Sequence, residues 1–228
     1  MAVDDLIPLD PGFGERFERQ RRPACQLYLV SPPVIVITDF VEALKAALDG
    51  GPVAAFQLRL KDVADDVVLR AAEALVPVCA AHEVAFLLND RADLAKVCGA
   101  DGVHLGQSDG SIREARALLG PDAQIGRTCH VSRHLAMGAG EEGADYVAFG
   151  AFYETTTKPS HYRPAPEILT WWTTISQLPC VAIGGITPAN AAPIVAAGAD
   201  FVAVVNAVWS HPDGPGQGVK AFEAMLAA

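Results

Sequence analysis

The stretch that decides the fold is Gly99-Ala100-Asp101-Gly102-Val103-His104-Leu105-Gly106, because its first three residues occur twice more, each time before a short apolar run. The other copies are Gly143-Ala144-Asp145 before YVAFG and Gly198-Ala199-Asp200 before FVAVV. A plausible helix precedes each copy, and glycine suits the left-handed residue that ends a helix. The apolar runs are typical of parallel strands buried on both faces. The repeat therefore predicts helix-turn-strand units of an α/β protein.

The whole chain contains eight such predicted strands, each followed by a predicted helix. The strands are predicted at 27–31, 53–58, 85–88, 102–105, 124–128, 146–149, 181–183 and 201–204. The helices are predicted at 40–48, 63–81, 92–97, 112–118, 132–141, 166–177, 188–196 and 221–226, with a flexible turn over 210–218. This count favours a single-domain (β/α)8 TIM barrel over a doubly wound open sheet. We expect residues 1–24 to be an N-terminal extension and residues 25–228 to form the barrel.

Composition limits the partners and the compartment of the protein. The 228 residues are 51% hydrophobic, which is ample for one large core, and the net charge of −10 makes nucleic acid or an anionic membrane a poor partner. The five cysteines are odd in number and show no CxxC spacing, as expected of reduced thiols. The N-terminal segment lacks the apolar core of a signal peptide, and no apolar run approaches the roughly 20 residues of a membrane helix. We therefore expect a cytoplasmic protein with small-molecule partners, and a homo-oligomer stays open.

Chemistry in α/β barrels lies at the carboxyl ends of the strands. Alternate residues of a strand share a face, so three polar side chains point together after predicted strand two, namely Gln57, Arg59 and Lys61. Leu60 faces the other way. Two cations and an amide at a barrel mouth suit an anion such as a diphosphate. The alternative is a solvated strand end whose cations pair with Asp62 or Asp65.

Two carboxylates follow the next two predicted strands. Asp90 ends strand three, after Asn89, and Asp109 lies just beyond strand four. Neighbouring carboxylates beside an anion pocket are what Mg²⁺ needs, since it takes hard oxygen ligands and shares them with phosphates. The alternative for each residue is an N-cap, for the helices expected at 92 and 112.

Three further segments follow later strands. Gly184-Gly185, after strand seven, predicts a phosphate cup made of backbone N–H groups. The loop after strand six offers Thr155, Thr156, Thr157 and Lys158, although a threonine-rich surface loop is the alternative. After strand five, His130 is a candidate acid or base, whereas nothing in the sequence lowers the pKa of Cys129. We expect His104, inside an apolar strand, to be packed in the barrel.

Seven motifs, taken in order, resemble the thiamine-phosphate synthase family: QLRLK, LLND, GADGVHLGQSD, IGRTCH, FGAFYETTTK, AIGGI and VVNA, from about Gln26 to Val208. The resemblance implies a (β/α)8 barrel that joins 4-amino-2-methyl-5-(diphosphooxymethyl)pyrimidine to 4-methyl-5-(2-phosphoethyl)thiazole. The products are thiamine phosphate and pyrophosphate, and the implied cofactor is Mg²⁺.

The resemblance also implies a role for each matching residue. The pyrimidine diphosphate would be bound by Gln57, Arg59, Lys61, Asn89, Thr128 and Lys158. The metal would be bound by Asp90 and Asp109. The thiazole phosphate would be bound by Thr155, Thr157, Gly184, Gly185, Val205 and Asn206. Arg59, Lys61 and Lys158 would act in catalysis by stabilising the departing diphosphate.

The chain departs from the family pattern at several positions. Leu60 stands where the family usually has an acidic residue, Glu154 replaces a proline, and Thr128 replaces a serine while keeping the hydroxyl. Two other functions stay open. One is that of a thiazole tautomerase-like relative with a proton shuttle at His130. The presence of both Asp90 and Asp109 argues against this function, because tautomerisation has no diphosphate for Mg²⁺ to neutralise. The other is a catalytically silent phosphate-binding barrel.

Overall fold

Eight parallel strands close into a barrel in the order in which they occur along the chain, with the last strand hydrogen-bonded to the first. The computed structural model describes residues 22–155 and 161–227. The predicted single-domain TIM barrel is confirmed. Its strands are β1 (Gln26–Val30), β2 (Ala55–Leu58), β3 (Ala85–Asn89), β4 (Gly102–Leu105), β5 (Gln124–His130), β6 (Tyr146–Gly150), β7 (Cys180–Ile183) and β8 (Phe201–Val204).

Helices connect successive strands on the outside of the barrel. Within the described residues they are α1 (Ile37–Leu48), α2 (Asp65–Ala81), α3 (Ala92–Cys98), α4 (Ile112–Leu119), α5 (Arg133–Glu142), α6 (Glu167–Ile175), α7 (Ala192–Ala196), α8 (Asn206–Trp209) and α9 (Pro215–Leu226). No helix among them is long and apolar enough to cross a membrane. All five cysteines lie in the described residues and carry free thiols.

Side-chain alternation along the strands separates two apolar clusters. In β2, Phe56 and Leu58 belong to the large cluster between strands and helices, while Ala55 belongs to a smaller cluster that includes Tyr28 and Tyr146 and fills the barrel. Leu60, beyond the end of β2, packs against the large cluster. The interior face of β2 thus continues from Ala55 to Gln57 at the carboxyl end, as the period-two pattern predicted.

The glycine of each Gly-Ala-Asp copy adopts the left-handed backbone that the sequence predicted. The φ angles are +67° at Gly99, +93° at Gly143 and +106° at Gly198. Gly99 and Gly143 directly follow α3 and α5. Because residues with a Cβ rarely adopt such angles, glycine ends the helix and turns the chain into the next strand.

The aspartate of each copy links two strands at the amino end of the barrel. Each accepts a hydrogen bond from the backbone N–H of the first or second residue of the preceding strand and donates its own N–H to the carbonyl of that residue. The pairs, with the two bond lengths, are Asp101 with Phe86 (2.7 and 2.9 Å), Asp145 with Ile125 (2.6 and 2.8 Å) and Asp200 with Cys180 (2.8 and 3.1 Å). The repeat therefore carries a carboxylate link as well as a turn.

The C-terminal region differs from the prediction. The segment expected to be a flexible turn over 210–218 includes the first turn of α9, which begins at Pro215, six residues before the predicted start. Gly216 lies against the backbone of Gly50 and Ala46, where a side chain would collide. Gly216 thus allows α9 to pack closely against α1 and the turn after it, although the composition of segment 210–218 is typical of a turn. The short α8 was not predicted. The boundary expected at residue 24 stays a prediction, because residues 1–21 lie outside the described residues.

Candidate active site

A cavity of about 730 Å³ opens at the carboxyl end of the barrel, where the sequence predicted the chemistry. Every predicted site residue that the structure describes lines it: Gln57, Arg59, Lys61, Asn89, Asp90, Asp109, Thr128, Thr155, Gly184, Gly185, Val205 and Asn206. Thr157 and Lys158 lie outside the described residues. Leu60 does not line the cavity, in agreement with its predicted outward position.

The end of β2 is buried and hydrogen-bonded to its neighbours. Gln57, only 4% exposed, donates from Nε2 to Asn89 Oδ1 at 2.9 Å. The backbone N–H of Arg59 donates to the hydroxyl of Ser31 at 2.8 Å. Burial lowers the pKa of the Arg59 guanidinium, and the negative charge of Asp90 opposes that shift. The cation is thus held partly desolvated at the cavity wall, where an anion would gain most from it.

Asp90 lies at the centre of the polar wall. Its carboxylate forms a salt bridge with Lys61, and its N–H donates to the carbonyl of His104 at 2.8 Å. Its φ of +66° places it in the left-handed region, which is uncommon outside glycine. The alternative that Asp90 caps the next helix is wrong, because Arg91 is the N-cap residue of α3 and that cap has no side-chain hydrogen bond.

Asp109 approaches Asp90 from the neighbouring loop. Burial raises the pKa of the Asp109 carboxyl, and the hydrogen bond and charge of Asp90 raise it further, against Lys61 and the Gly106 N–H. Gly106 donates to Asp109 Oδ2 at 3.0 Å, and a Cβ on Gly106 would collide with that oxygen. The N-cap alternative is wrong here too, since Ser111 caps α4 in a capping box with Glu114.

These two carboxylates fit a Mg²⁺ ion that is completed by other ligands. Among the described residues there is no group of three acidic, histidine or cysteine side chains that could hold a metal alone. Mg²⁺ is usually bound through one or two carboxylates, with water and substrate phosphates supplying the other oxygens. Burial first and the neighbouring Asp90 second raise the pKa of the Asp109 carboxyl, so a further cation beside the two carboxylates would stabilise their charged forms.

The paired glycines on the opposite wall require their small size. Gly184 and Gly185 have φ angles of +106° and +64°. A Cβ at Gly184 would collide with Ala151, and one at Gly185 with the carbonyl of Glu154. The chain after β7 is thereby packed against the loop that follows β6, and both line the cavity. Val205 and Asn206 complete this wall at the start of α8.

His130, a predicted candidate acid or base, lines the cavity together with Tyr162, which sequence reasoning missed. His130, with a φ of +55°, ends β5 after a register shift, and its ring stacks on Tyr162 at a centroid distance of 4.5 Å. Arg163 and His161 also line the cavity. Their position just after the threonine-rich loop is the signal that could have found them. Cys129 is buried, and burial raises the pKa of its thiol to about 12, so it is no nucleophile at neutral pH.

His104 lies in the barrel, as expected, but also reaches the cavity. Its Nε2 lies 2.8 Å from Thr128 Oγ1 and its Nδ1 lies 3.0 Å from Tyr146 Oη. Tyr146 Oη lies 3.1 Å from Tyr28 Oη. Four side chains therefore form one hydrogen-bonded chain from the barrel interior to the cavity.

Comparison with known proteins identifies the family. A family model described as thiamine monophosphate synthase matches residues 27–208. The thiamine-phosphate synthase of Rhodospirillum centenum is 57% identical over 202 residues, covering 89% of this chain and 98% of that protein. That of Erythrobacter litoralis is 54% identical over 207 residues, covering 89% and 96%.

Solved structures agree. Thiamine phosphate pyrophosphorylase from Pyrococcus furiosus has a TM-score of 0.78 at 28% identity, covering 89% of this chain and 95% of its own. Orotidine 5'-phosphate decarboxylase from Pyrococcus horikoshii, at 16% identity and a TM-score of 0.65, shares the barrel fold alone. The sequence match over most of the chain, together with the barrel and its polar mouth, shows that this chain belongs to the thiamine monophosphate synthase family.

Proposed function

We propose that the cavity joins 4-amino-2-methyl-5-(diphosphooxymethyl)pyrimidine to 4-methyl-5-(2-phosphoethyl)thiazole, with Mg²⁺, giving thiamine phosphate and pyrophosphate. Family membership makes the chain a transferase of thiamine biosynthesis. The observation that supports the residue assignment is the meeting of Arg59 and Lys61 with Asp90 and Asp109 at one wall of the cavity. Cations and paired carboxylates together suit a metal-bound diphosphate better than either a bare anion or a sugar.

The diphosphate end of the substrate is assigned to the β2 wall. Arg59 offers a planar fork of donors and Lys61 a mobile ammonium, and both bind phosphate oxygens well. Gln57 and Asn89, already joined by a hydrogen bond, orient the pyrimidine beside them. Thr128 faces the same ligand from β5. Lys158 is assigned to the diphosphate by the family resemblance.

Asp90 and Asp109 would hold Mg²⁺, which would supply positive charge that neutralises the departing diphosphate. In the reaction, the bond between the pyrimidine methylene carbon and the diphosphate oxygen breaks, and its electron pair leaves with the diphosphate. Arg59, Lys61 and Lys158 stabilise the negative charge that develops there. The thiazole nitrogen then forms the new bond to carbon with its own lone pair. No protein base is required.

The thiazole phosphate is assigned to the opposite wall. Gly184 and Gly185 line this wall, and their backbone N–H groups would bind the phosphate, as in the phosphate sites of other barrels. Asn206 and the Val205 backbone adjoin them, and Thr155, with Thr157 by resemblance, offers hydroxyl donors. Holding both substrates in one cavity places nitrogen and carbon within reach and removes most of the entropic cost of a bimolecular reaction.

The test is pyrophosphate release from the purified protein with Mg²⁺ and both substrates. We expect release only when both substrates and the metal are present. Thiazole isomerisation without release would favour the tautomerase alternative. Binding of thiazole phosphate with no release above background would favour the silent barrel and overturn the proposal.

We also propose that residues 25–228 form the barrel domain after an extension over 1–24. The five free thiols support a reducing compartment, the cytoplasm.

A further inference from the structure

The hydrogen-bonded series Tyr28, Tyr146, His104 and Thr128 joins β1, β6, β4 and β5. It can pass from β6 to β4 because Gly126, on the intervening β5, has no side chain. His104 on β4 and Tyr146 on β6 are both register partners of Gly126 on β5. A Cβ on Gly126 would collide with the Tyr146 ring. The His104 and Tyr146 rings therefore stack across β5, with centroids 5.6 Å apart and planes at 26°.

The hydrogen bonds among these four side chains can be oriented in two directions, depending on which group of each pair donates. Towards the cavity, Tyr28 donates to Tyr146, Tyr146 donates to His104 Nδ1, and His104 Nε2–H donates to Thr128. The Thr128 hydroxyl then points its proton into the cavity. Away from the cavity, Thr128 donates to His104 Nε2, His104 Nδ1–H donates to Tyr146, and Tyr146 donates to Tyr28. A neutral imidazole allows either direction, since each of its two tautomers has one donor nitrogen and one acceptor nitrogen.

The number of available acceptors distinguishes the two directions. Both phenols are buried, and burial raises the pKa of each well above the usual value, so both keep their protons. Among the described residues, the hydrogen bond to Tyr146 is the only one that Tyr28 Oη makes. In the direction away from the cavity, the Tyr28 proton is left buried without an acceptor, which is costly. In the direction towards the cavity, every interior proton has an acceptor.

We propose that Tyr146 is a positioning residue that holds His104 as its Nε2–H tautomer, so that Thr128 faces the cavity as a hydrogen-bond donor. The atom of the pyrimidine diphosphate that meets Thr128 is then an acceptor, not the exocyclic amine. This last inference rests on the proposed function, whereas the tautomer itself does not. Tyr28 ends the series of hydrogen bonds, and without its hydroxyl the direction away from the cavity would instead leave the Tyr146 proton without an acceptor. The preference of Tyr146 for donating to His104 therefore does not depend on Tyr28.

The tautomer can be measured in the unliganded protein by NMR of ¹⁵N-labelled histidine. The resonances of His104 are assigned by their loss in His104→Gln. We expect Nε2 to be pyrrole-like and Nδ1 pyridine-like. The opposite pattern would overturn the proposal. In Tyr28→Phe we expect the Nε2–H tautomer to persist, because Tyr146 still donates to Nδ1, whereas Tyr146→Phe should give a mixture of tautomers.

Steady-state kinetics of the two matched variants, Tyr146→Phe and Tyr28→Phe, provide the second test. A neutral hydrogen bond lost from the substrate lowers kcat/KM by roughly five- to tenfold. We expect that loss for the pyrimidine diphosphate in Tyr146→Phe, an unchanged KM for the thiazole phosphate, and a loss below about threefold in Tyr28→Phe. In a Thr128→Val background, Tyr146→Phe should have almost no further effect. Equal losses in the two phenylalanine variants, or additive losses with Thr128→Val, would show a merely structural role. A wild-type protein without turnover would contradict the proposed function and leave the NMR result to decide on the tautomer.

Discussion

Lys61 and Asp90 are joined by a salt bridge between the loops that follow β2 and β3. The cation assigned to the diphosphate and the carboxylate assigned to the metal thus neutralise each other in the unliganded protein. A metal diphosphate brings a cation for Asp90 and an anion for Lys61 together. Binding the two as one complex therefore exchanges partners without leaving either charge unpaired.

Removing either β2 cation should weaken one substrate far more than the other. A charged hydrogen bond to phosphate contributes about 1.5–3 kcal/mol, so Arg59→Ala and Lys61→Ala should each raise the KM of the pyrimidine diphosphate roughly ten- to a hundredfold. The KM of the thiazole phosphate should change little. Arg70→Ala, which removes an exposed cation paired with Asp66 on α2, is the matched control. An equal rise in the KM of both substrates would show that the diphosphate does not bind at the end of β2.

Asp90→Asn and Asp109→Asn should each raise the Mg²⁺ concentration needed for half-maximal pyrophosphate release. Neither side chain caps a helix, so the melting temperature of the metal-free protein should stay nearly unchanged or rise slightly as a charge is removed. A metal titration and a thermal melt of each variant measure both effects. Variants that mainly unfold would show a structural role instead.

The raised pKa of Asp109 predicts a pH-dependent stability difference. The folded protein holds this proton more tightly than the unfolded chain, whose pKa is near the ordinary value of 3.8. The charged carboxylate therefore costs no stability below that value, and the cost grows as pH rises to the folded pKa and stays constant above it. Without metal, Asp109→Asn should gain melting temperature relative to wild type from acidic to neutral pH, and Mg²⁺ should reverse that gain. A difference that does not change with pH would contradict the assignment.

Leu60→Glu should change the turnover rate by less than about tenfold, or ~1.4 kcal/mol in activation free energy. Leu60 packs against the core between strands and helices and does not line the cavity. An acidic residue there would act on Arg59 and Lys61 only indirectly. Steady-state rates of the variant measure this, and a hundredfold change in either direction would show that position 60 acts on the diphosphate itself.

Asp200→Ala should destabilise the protein without affecting catalysis. The substitution removes the acceptor of the buried Cys180 N–H and the partner of Arg22, at a cost of about 1–3 kcal/mol in the free energy of unfolding. Asp200→Asn keeps an acceptor for the N–H and should lose less. Denaturant unfolding measures both, and the KM of each substrate should not change, because Asp200 lies at the opposite end of the barrel.

The parts of the fold and the cavity that a local sequence pattern determines could be predicted. Contacts that depend on the register between neighbouring strands could not. Period-two alternation was enough to bring Gln57, Arg59 and Lys61 to one wall. The contact of His104 with Tyr146 depends on two strand registers that meet at Gly126, which no local pattern reveals. At Ser111 the signal was present, since a glutamate three residues later marks a capping box and frees Asp109 from that role.

The three aspartate links join β3 to β4, β5 to β6 and β7 to β8, while Ala54 takes the corresponding place before β2 and offers only its N–H. Each aspartate binds the strand that begins its own strand-helix-turn segment, so a side chain closes each of these three segments at the amino end of the barrel. Between β1 and β2 only a backbone hydrogen bond does so, from Ala54 N–H to the carbonyl of Leu27. If the intervening helix loosens, the linked strand pairs therefore keep a second contact at this end, whereas β1 and β2 keep one.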